Sequence, residues 1–389
     1  MSGEKGFQWT VALILFGVLF LGVSDTQLVA PLLPLIARDL GTTPGHAGII
    51  VTTYSLAAAA FALIIGPLSD RIGRKKILIS GLALFALTSF LTYHVSTFGA
   101  LIILRAITGL SAGTLSTCAL SFAGDYYPYH QRGRAMGVLS MGYFVAFVVG
   151  VPAGALAAAR LGWQWVFACL AIGSAVVFLV ALARLPEEPS KQVLTRSHLS
   201  AVEHFQKADR LSGIAAAFLT SGGIVGFLTY IGAWLNSVQG VSVERIGLLF
   251  MFAGVGAVIA SPFSGWLSDR AGKRTVIVFA NVILAVLFIV VARTTWGVGL
   301  VVAVAALSIA ASARQAPLHA LSTEIVGTEI RGEYIALRNA ASQTGIAAVA
   351  AISSFVFDSA GFGGVSLVAA SVTLLIPICC IWLKEPTAN

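Results

Sequence analysis

Asp25 is the one acidic residue that the sequence places well inside a long apolar stretch, and Arg105 is a cation in a similar setting. Ionisable side chains are costly in an apolar interior, so they pair with one another or line a wet cavity. A carboxyl group beside a guanidinium can gain and lose a proton there when its surroundings change. We therefore expect Asp25 to interact with Arg105 and to gain and lose a proton; a static salt bridge, or an acid near the interface, is the alternative.

Other polar and aromatic side chains in the apolar stretches are candidates for binding a solute. Arg314 and Arg338 can form the basic floor of a cavity, or they can extend to the membrane interface or pair with Glu324 or Glu329. Aromatic rings supply apolar contact area, and amides orient polar groups. The candidate cavity residues are Tyr54, Tyr143, Phe144, Phe147, Phe227, Tyr230, Trp234, Asn281, Arg314, Arg338, Asn339 and Gln343.

The composition shows which elements position these residues. Of the 389 residues, 58% are apolar and only 10% are charged, whereas soluble domains carry about 25% charged residues. The apolar blocks are long enough to cross a bilayer as helices. They predict an all-α membrane protein with twelve spans near residues 8–30, 45–67, 77–94, 98–122, 135–158, 163–185, 211–235, 244–267, 275–292, 296–321, 333–357 and 362–383.

A polar segment divides the spans into two sets of six. The predicted domains are an N-terminal bundle, 1–185, a cytoplasmic linker, 186–210, and a C-terminal bundle, 211–389. The linker is either a disordered tether or partly a short helix on the membrane surface. Most of the 24 Lys and Arg residues lie in one set of alternate loops together with both termini. We therefore expect both termini to be cytoplasmic.

The depths of the two candidate coupling residues agree in this topology. At 1.5 Å per residue, Asp25 lies about 14 Å before Pro34, which we take as the outer end, and Arg105 lies about 12 Å below the outer end of span 4. The two side chains can therefore meet.

The two halves contain copies of one sequence. Gly66 to Lys75, which follows span 2, and Gly265 to Arg274, which follows span 8, are related by an offset of 199 residues, with Asp70 matching Asp269. The same offset relates Asp125 to Glu324. Each half is thus a copy of one six-helix unit, an arrangement common in secondary transporters.

These motifs resemble the major facilitator superfamily. The segment Gly66 to Lys76 is similar to its signature loop between spans 2 and 3. Span 4 is similar to the family's span 4 motif at Leu101, Arg105, Gly109 and Gly113. The resemblance covers essentially the whole chain. It implies the major facilitator fold, two pseudo-symmetric six-helix bundles around a central cavity that spans 1 and 4 border.

The resemblance also implies a cytoplasmic gate, because in this family the signature loop of one half meets a span of the other half. Asp70 would face the start of span 11, and Asp269 the start of span 5, while Arg74 with Asp125 or Lys273 with Glu324 would add charge pairs. Exposed ion pairs contribute about 0–1 kcal/mol each, so such a gate can open in every cycle. The gate candidates are Gly66, Asp70, Arg71, Gly73, Arg74, Asp125, Asp269, Arg270, Lys273 and Glu324.

Span 5 carries a helix-bending pattern, Gly150, Pro152 and Gly154. A proline removes a backbone hydrogen bond and bends a helix. The pattern resembles the antiporter motif of the twelve-span drug:proton exporters, although Gly150-Val151-Pro152 replaces the usual Gly-Pro pair. That form is similar to the sugar and small-metabolite branch, and it implies export.

The sequence therefore predicts a monomeric, proton-coupled exporter of a small organic solute, such as a drug, sugar or metabolite, that works by alternating access in the cytoplasmic (inner) membrane. The alternative is a proton-coupled importer of an anionic nutrient that uses the three intramembrane arginines. Protons are the coupling ion, and no cofactor, metal or nucleic acid is expected. The sequence has no HExxH or Walker motif, so we do not expect an enzyme.

Overall fold

The computed structural model describes residues 7–187, 207–326 and 331–382. Within these ranges the chain is helical and contains no strand. The helices are Trp9–Asp39 (span 1), Pro44–Ala47 with Ile49–Ile72 (span 2), Arg74–Tyr93 (span 3), Phe98–Tyr126 (span 4), Tyr129–Val145 with the π-helical turn Ala146–Gly150 and Val151–Leu161 (span 5), Gln164–Arg184 (span 6), Ala208–Ser237 (span 7), Val243–Ala271 (span 8), Lys273–Arg293 (span 9), Val298–Glu324 (span 10), Arg331–Leu374 (spans 11 and 12) and Ile376–Cys379 (the end of span 12).

The final apolar stretch contains two spans. Glu333–Cys379 is 47 residues long, although about 20 residues are enough to cross a bilayer. Gly361 interrupts its helical geometry with a φ of 68°, a value that glycine adopts without steric cost. The structure thus contains the twelve spans of the all-α fold that the sequence predicts. Most of the linker, residues 188–206, lies outside the described ranges, as does the proposed surface helix.

Span 1 is longer than predicted. The sequence places its end at residue 30, before two prolines, but the helix includes Pro31 and Pro34 and continues to Asp39. Pro34 has no N–H to donate to the carbonyl oxygen of Ala30, four residues earlier. Gly232 of span 7 packs directly on that oxygen, and no Cβ would fit there. Membrane helices tolerate prolines where a neighbouring helix covers the freed backbone group.

The two halves repeat one packing pattern. Spans 2 and 4 contact each other in the N-terminal half, as spans 8 and 10 do in the C-terminal half, and spans 1 and 5 correspond in the same way to spans 7 and 11. The turn after span 2 uses Gly73, with a φ of 103°, and the turn after span 8 uses Gly272, with a φ of 86°. Contacts between spans 1 and 7, 2 and 11, and 5 and 8 join the halves.

Span 5 is irregular at the position that its sequence indicates. A π-helical turn occupies Ala146–Gly150, and an α-helix begins again at Val151. Pro152 cannot complete the helical hydrogen bond to the carbonyl of Val148, and a π-turn adjusts the helix around that loss. Beyond the turn, span 5 packs closely on span 8, because Gly247 of span 8 lies against Pro152 and Ala155.

Candidate functional site

Asp25 and Arg105 form an ion pair in the interior of the N-terminal half. Nη1 of Arg105 donates to Oδ1 of Asp25 at 2.7 Å. The side chains are 1% exposed for Arg105 and 0% for Asp25. Because a charge is expensive in an apolar interior, each group stabilises the charged form of the other. The structure thus brings together the two residues that the sequence places at one depth.

Close packing of spans 2 and 4 surrounds this pair. Gly109 of span 4 lies on the backbone of Tyr54, and Gly113 lies on that of Ala58, with no space for a Cβ at either glycine. Small residues allow membrane helices to approach in this way. The approach places the Tyr54 ring against Arg105, with 4.4 Å between the ring centroid and Cζ.

The pair retains unused hydrogen-bonding capacity. Oδ2 of Asp25 and Nε of Arg105 have no hydrogen-bond partner among the described residues, and the same is true of the buried Ser24 and Ser55 hydroxyls. An unpartnered carboxylate oxygen is a position that a proton can occupy.

The C-terminal half contains buried arginines with neutral partners. Nη1 of Arg314 donates to Oδ1 of Asn281 at 2.5 Å, and Nη2 donates to the Thr220 carbonyl oxygen at 3.1 Å. Nη1 of Arg338 lies 3.5 Å from Nδ1 of His319. No carboxylate of the described side chains forms an ion pair with Arg314 or Arg338. The suggested partners fall outside that set, since Glu329 and the Glu324 side chain are not described.

Several candidate cavity residues have packing roles in this conformation. Phe227 is fully buried between Phe288 and Phe362, and Trp234 stacks on Phe362. Asn281 and Arg314 are likewise buried inside the C-terminal half. Sequence periodicity does not distinguish a buried ring from a cavity-lining ring, because both lie on an inward-facing side of a helix.

Other candidates are more accessible. Tyr143 and Asn339 are exposed, whereas Phe144 and Gln343 are half-buried. Phe147 lies at the junction of the halves, where Gly254 of span 8 packs on it. These residues remain candidates for contact with a solute.

The gate candidates lie at the end of the molecule that the sequence predicts to be cytoplasmic. Nη2 of Arg74 is 2.7 Å from Oδ2 of Asp125, which ties the start of span 3 to the end of span 4. Arg71 and Arg270 are exposed, and Arg270 stacks on the Trp266 ring.

The remaining gate predictions concern residues with less described detail. Gly66 and Lys273 are half-buried. The side chains of Asp70, Asp269 and Glu324 are not among the described ones, so their predicted contacts stay predictions.

A cluster at the predicted outer end was not foreseen from the sequence. Asp358 of span 11 accepts hydrogen bonds from the Thr43 hydroxyl at 2.7 Å and from the Gly45 N–H at 3.1 Å. The Ser354 hydroxyl donates to the Gly45 carbonyl at 2.7 Å, and the Tyr230 hydroxyl donates to the same oxygen at 3.3 Å. We call these five residues the outer latch, because they join the two halves. The available signal was an acid just beyond the predicted end of span 11.

Comparison with known proteins agrees with this architecture. The family model for the Major Facilitator Superfamily matches residues 15–259 and 214–389. The uncharacterized MFS-type transporter YceJ of Bacillus subtilis is 26% identical over 356 residues, covering 91% of both chains. The purine ribonucleoside efflux pump NepI of Shigella sonnei is 29% identical over 275 residues, covering 70% of this chain and 67% of the pump.

Solved structures show the same fold. The crystal structure of a D-xylose-proton symporter superposes with a TM-score of 0.80 at 15% identity, covering 95% of this chain and 96% of the symporter. The two overlapping family matches include both sequence copies and the Asp25–Arg105 pair. The protein is therefore a member of the Major Facilitator Superfamily, a multi-pass membrane transporter of small solutes and not an enzyme.

Proposed function

We propose that the protein exports a small organic solute in exchange for protons, and that Asp25 is the proton-binding group. The observation that carries the proposal is the buried Asp25–Arg105 ion pair with its unpartnered carboxylate oxygen. An intramembrane carboxyl group that can be charged or neutral is suited to couple proton movement to a change in shape. The similarity to an efflux pump, NepI, supports the export direction.

The proposed cycle uses protonation to change the interaction between spans 1 and 4. When the site faces outside, a proton binds Asp25 and removes its negative charge. The attraction between Asp25 and Arg105 then weakens, and the two halves rock around the central site. After the site opens to the cytoplasm, Asp25 releases the proton, solute binds, and the pair forms again before the return step.

The orientation is part of the proposal. Both termini and the Arg74–Asp125 pair face the cytoplasm, and the outer latch faces the opposite side of the cytoplasmic membrane. The support is the excess of Lys and Arg in one set of loops, which is typical of cytoplasmic loops. The protein acts as a monomer in this proposal.

A second candidate function is proton-coupled import of an organic anion. It is favoured by Arg314 and Arg338, which have neutral partners in the described part of the structure. A buried cation that lacks a carboxylate partner attracts an anion.

Transport in inverted vesicles tests the proposal. Inverted vesicles would be loaded with a proton-sensitive dye, and inosine, D-xylose and benzoate would be added separately to represent nucleosides, sugars and organic anions. Export coupled to protons predicts that a transported solute enters inverted vesicles while protons leave them. Asp25→Asn should abolish the proton movement, whereas Asp39→Asn, which removes an exposed acid at the outer end of the same span, should not. Solute and proton entering together would overturn the export proposal, and proton movement that persists in Asp25→Asn would overturn the assignment of Asp25.

A further inference from the structure

We propose that Tyr54 is a positioning residue for proton coupling: its ring holds the Arg105 guanidinium when Asp25 is neutral. The proposal rests on the proposed function and extends it, because it names the group that keeps a buried cation in place at the step when its counter-ion is lost. It begins from the arrangement of three side chains on three spans.

The guanidinium of Arg105 lies between an acid and an aromatic face. Its Nη1 is 2.7 Å from Oδ1 of Asp25, and its Cζ is 4.4 Å from the centroid of the Tyr54 ring. The Phe167 ring is more distant, at 5.9 Å. A cation within about 6 Å of an aromatic centroid is attracted to the ring face, more strongly when water is excluded. Tyr54 and Arg105 are both buried, so the ring is an effective second partner.

Two neighbouring spans hold the ring in this position. Gly109, one helical turn beyond Arg105, packs on the backbone of Tyr54, and a Cβ at this position would collide with the Tyr54 carbonyl oxygen. The Thr26 hydroxyl of span 1 donates to the Tyr54 hydroxyl at 3.1 Å. Thr26 is adjacent to Asp25 in span 1, so the same helix carries the acid and fixes the tyrosine. A ring held at both ends can receive the guanidinium without a change of rotamer.

The consequence concerns the protonated state. When Asp25 is charged, Arg105 has the carboxylate and the ring as partners. When Asp25 is neutral, the ring is the remaining strong partner, and Arg105 must rest on it or leave a cation buried and unbalanced. The ring therefore stabilises the protonated state more than the unprotonated state, and it makes proton binding to Asp25 more favourable.

Few other groups can contribute to this titration. Among the described residues, the charged or titratable groups that face Asp25 are Arg105 from span 4 and Tyr54 from span 2. Span 5 presents Gly150 to Ser24, and span 6 presents Phe167 to Arg105. Neither Gly150 nor Phe167 has a side chain that titrates.

A direct titration of the carboxyl group tests the proposal without a known solute. Infrared difference spectra of the purified full chain would record the band of the protonated carboxylic acid as pH is lowered, and Asp25→Asn would identify the part of the band that belongs to Asp25. Tyr54→Leu removes the ring and should shift half-protonation of Asp25 to lower pH by about one unit, a tenfold change in proton affinity. Tyr54→Phe keeps the ring and loses the hydroxyl, so its midpoint should stay close to that of the wild type.

The two variants separate the ring from the hydroxyl. Equal shifts in Tyr54→Leu and Tyr54→Phe would assign the effect to the hydroxyl and overturn the proposal, as would the absence of a shift in Tyr54→Leu. If Tyr54→Leu does not fold well enough for spectroscopy, its melting temperature gives a second test. Tyr54→Leu should lower the melting temperature more in an Asp25→Asn background than in the wild type, and equal losses would contradict the idea.

Failure of this idea can be distinguished from failure of the proposed function. The titration reports Asp25 and Tyr54 whether or not any solute moves. Proton transport that persists in Asp25→Asn vesicles would end the proposed function but would leave the titration result intact.

Discussion

The buried arginines of the two halves have different kinds of interaction partner. In the N-terminal half, Arg105 is matched by a carboxylate and by the face of Tyr54. In the C-terminal half, Arg314 is matched by an amide oxygen and a backbone carbonyl oxygen. The bundles share a repeated sequence and a packing pattern, but the partners of their buried arginines differ. The N-terminal pair therefore contains a carboxyl group, whereas the described hydrogen-bond partners of Arg314 contain none.

The largest expected effect comes from removing each arginine in turn. Arg105→Met should destabilise the protein by about 3–5 kcal/mol at neutral pH, because it leaves the Asp25 carboxylate buried without a partner. Arg314→Met removes a buried charge and leaves neutral acceptors behind, so it should cost only about 1 kcal/mol. Thermal unfolding of the purified variants in detergent would measure both.

Removing both charges provides a control for this comparison. The double variant Asp25→Asn with Arg105→Met should be close to the wild type in stability, because neither charge is left buried without its partner. If Arg314→Met is as unstable as Arg105→Met, the C-terminal half contains a compensating charge and the contrast between the halves is wrong.

A smaller loss of stability is expected from adding a methyl group to glycines at two corresponding helix contacts. These are the contact of span 11 with span 7 and the contact of span 5 with span 1. Gly345 of span 11 packs on the Phe218 carbonyl oxygen of span 7 so closely that a Cβ would collide with backbone. Gly142 of span 5 meets span 1 less tightly, since a Cβ on Gly142 would lie 3.0 Å from the Phe16 carbonyl oxygen. Gly345→Ala should therefore cost about 1–3 kcal/mol, and Gly142→Ala should cost less.

Melting temperatures would rank the two glycine variants. Gly137→Ala is the matched control, since it adds the same methyl group to span 5 where nothing lies within 4 Å. Equal melting temperatures for Gly345→Ala and Gly137→Ala would show that the close contact of spans 7 and 11 can relax.

A substitution in the outer latch tests whether these hydrogen bonds hold the two halves together. Asp358→Ala removes two hydrogen bonds to the N-terminal half, those from Thr43 and Gly45. Hydrogen bonds to charged groups contribute about 1.5–3 kcal/mol when buried, and Asp358 is exposed, so we expect a total near 1 kcal/mol. The population that is open at the latch end should increase about fivefold.

Distances between spin labels at the outer ends of the halves would report this change. Leu161→Cys and Val298→Cys provide exposed label positions, with Cys169→Ser removing an exposed native thiol. Asp39→Ala is the control, because Asp39 lies near the same end but pairs with the adjacent Arg38. An unchanged distance distribution in Asp358→Ala would exclude the latch as a determinant of closure.

The sequence predicts those features that depend on helix geometry. Asp25 and Arg105 are 80 residues apart, but a constant rise per residue places both at one depth. The twelve spans follow from the lengths of the apolar stretches. The repeated glycines Gly73 and Gly272 indicate the turns, and both have a positive φ in the structure.

Features that depend on packing between helices were not predictable in this way. The outer latch joins residues 313 and 315 positions apart, and no periodicity relates Asp358 to Gly45. Span 1 continues through Pro31 and Pro34 because Gly232 of another span covers a freed carbonyl oxygen. Phe227 was expected at a cavity because aromatic side chains suit solute binding, and only its ring neighbours show that it is packed.

The smallest expected effect concerns the repeated loop region, where the halves resemble each other most. Arg74 and Asp125 are partly exposed and belong to the same half, so their bond joins spans 3 and 4 and does not join the halves. Asp125→Asn should therefore lower stability by about 0.5 kcal/mol and leave the spin-label distances of the outer ends unchanged. The charge-swapped pair, Arg74→Asp with Asp125→Arg, should recover part of that loss. A change in the balance of open and closed states without a change in stability would mean that this pair acts across the halves, and the N-terminal copy would then work as a gate.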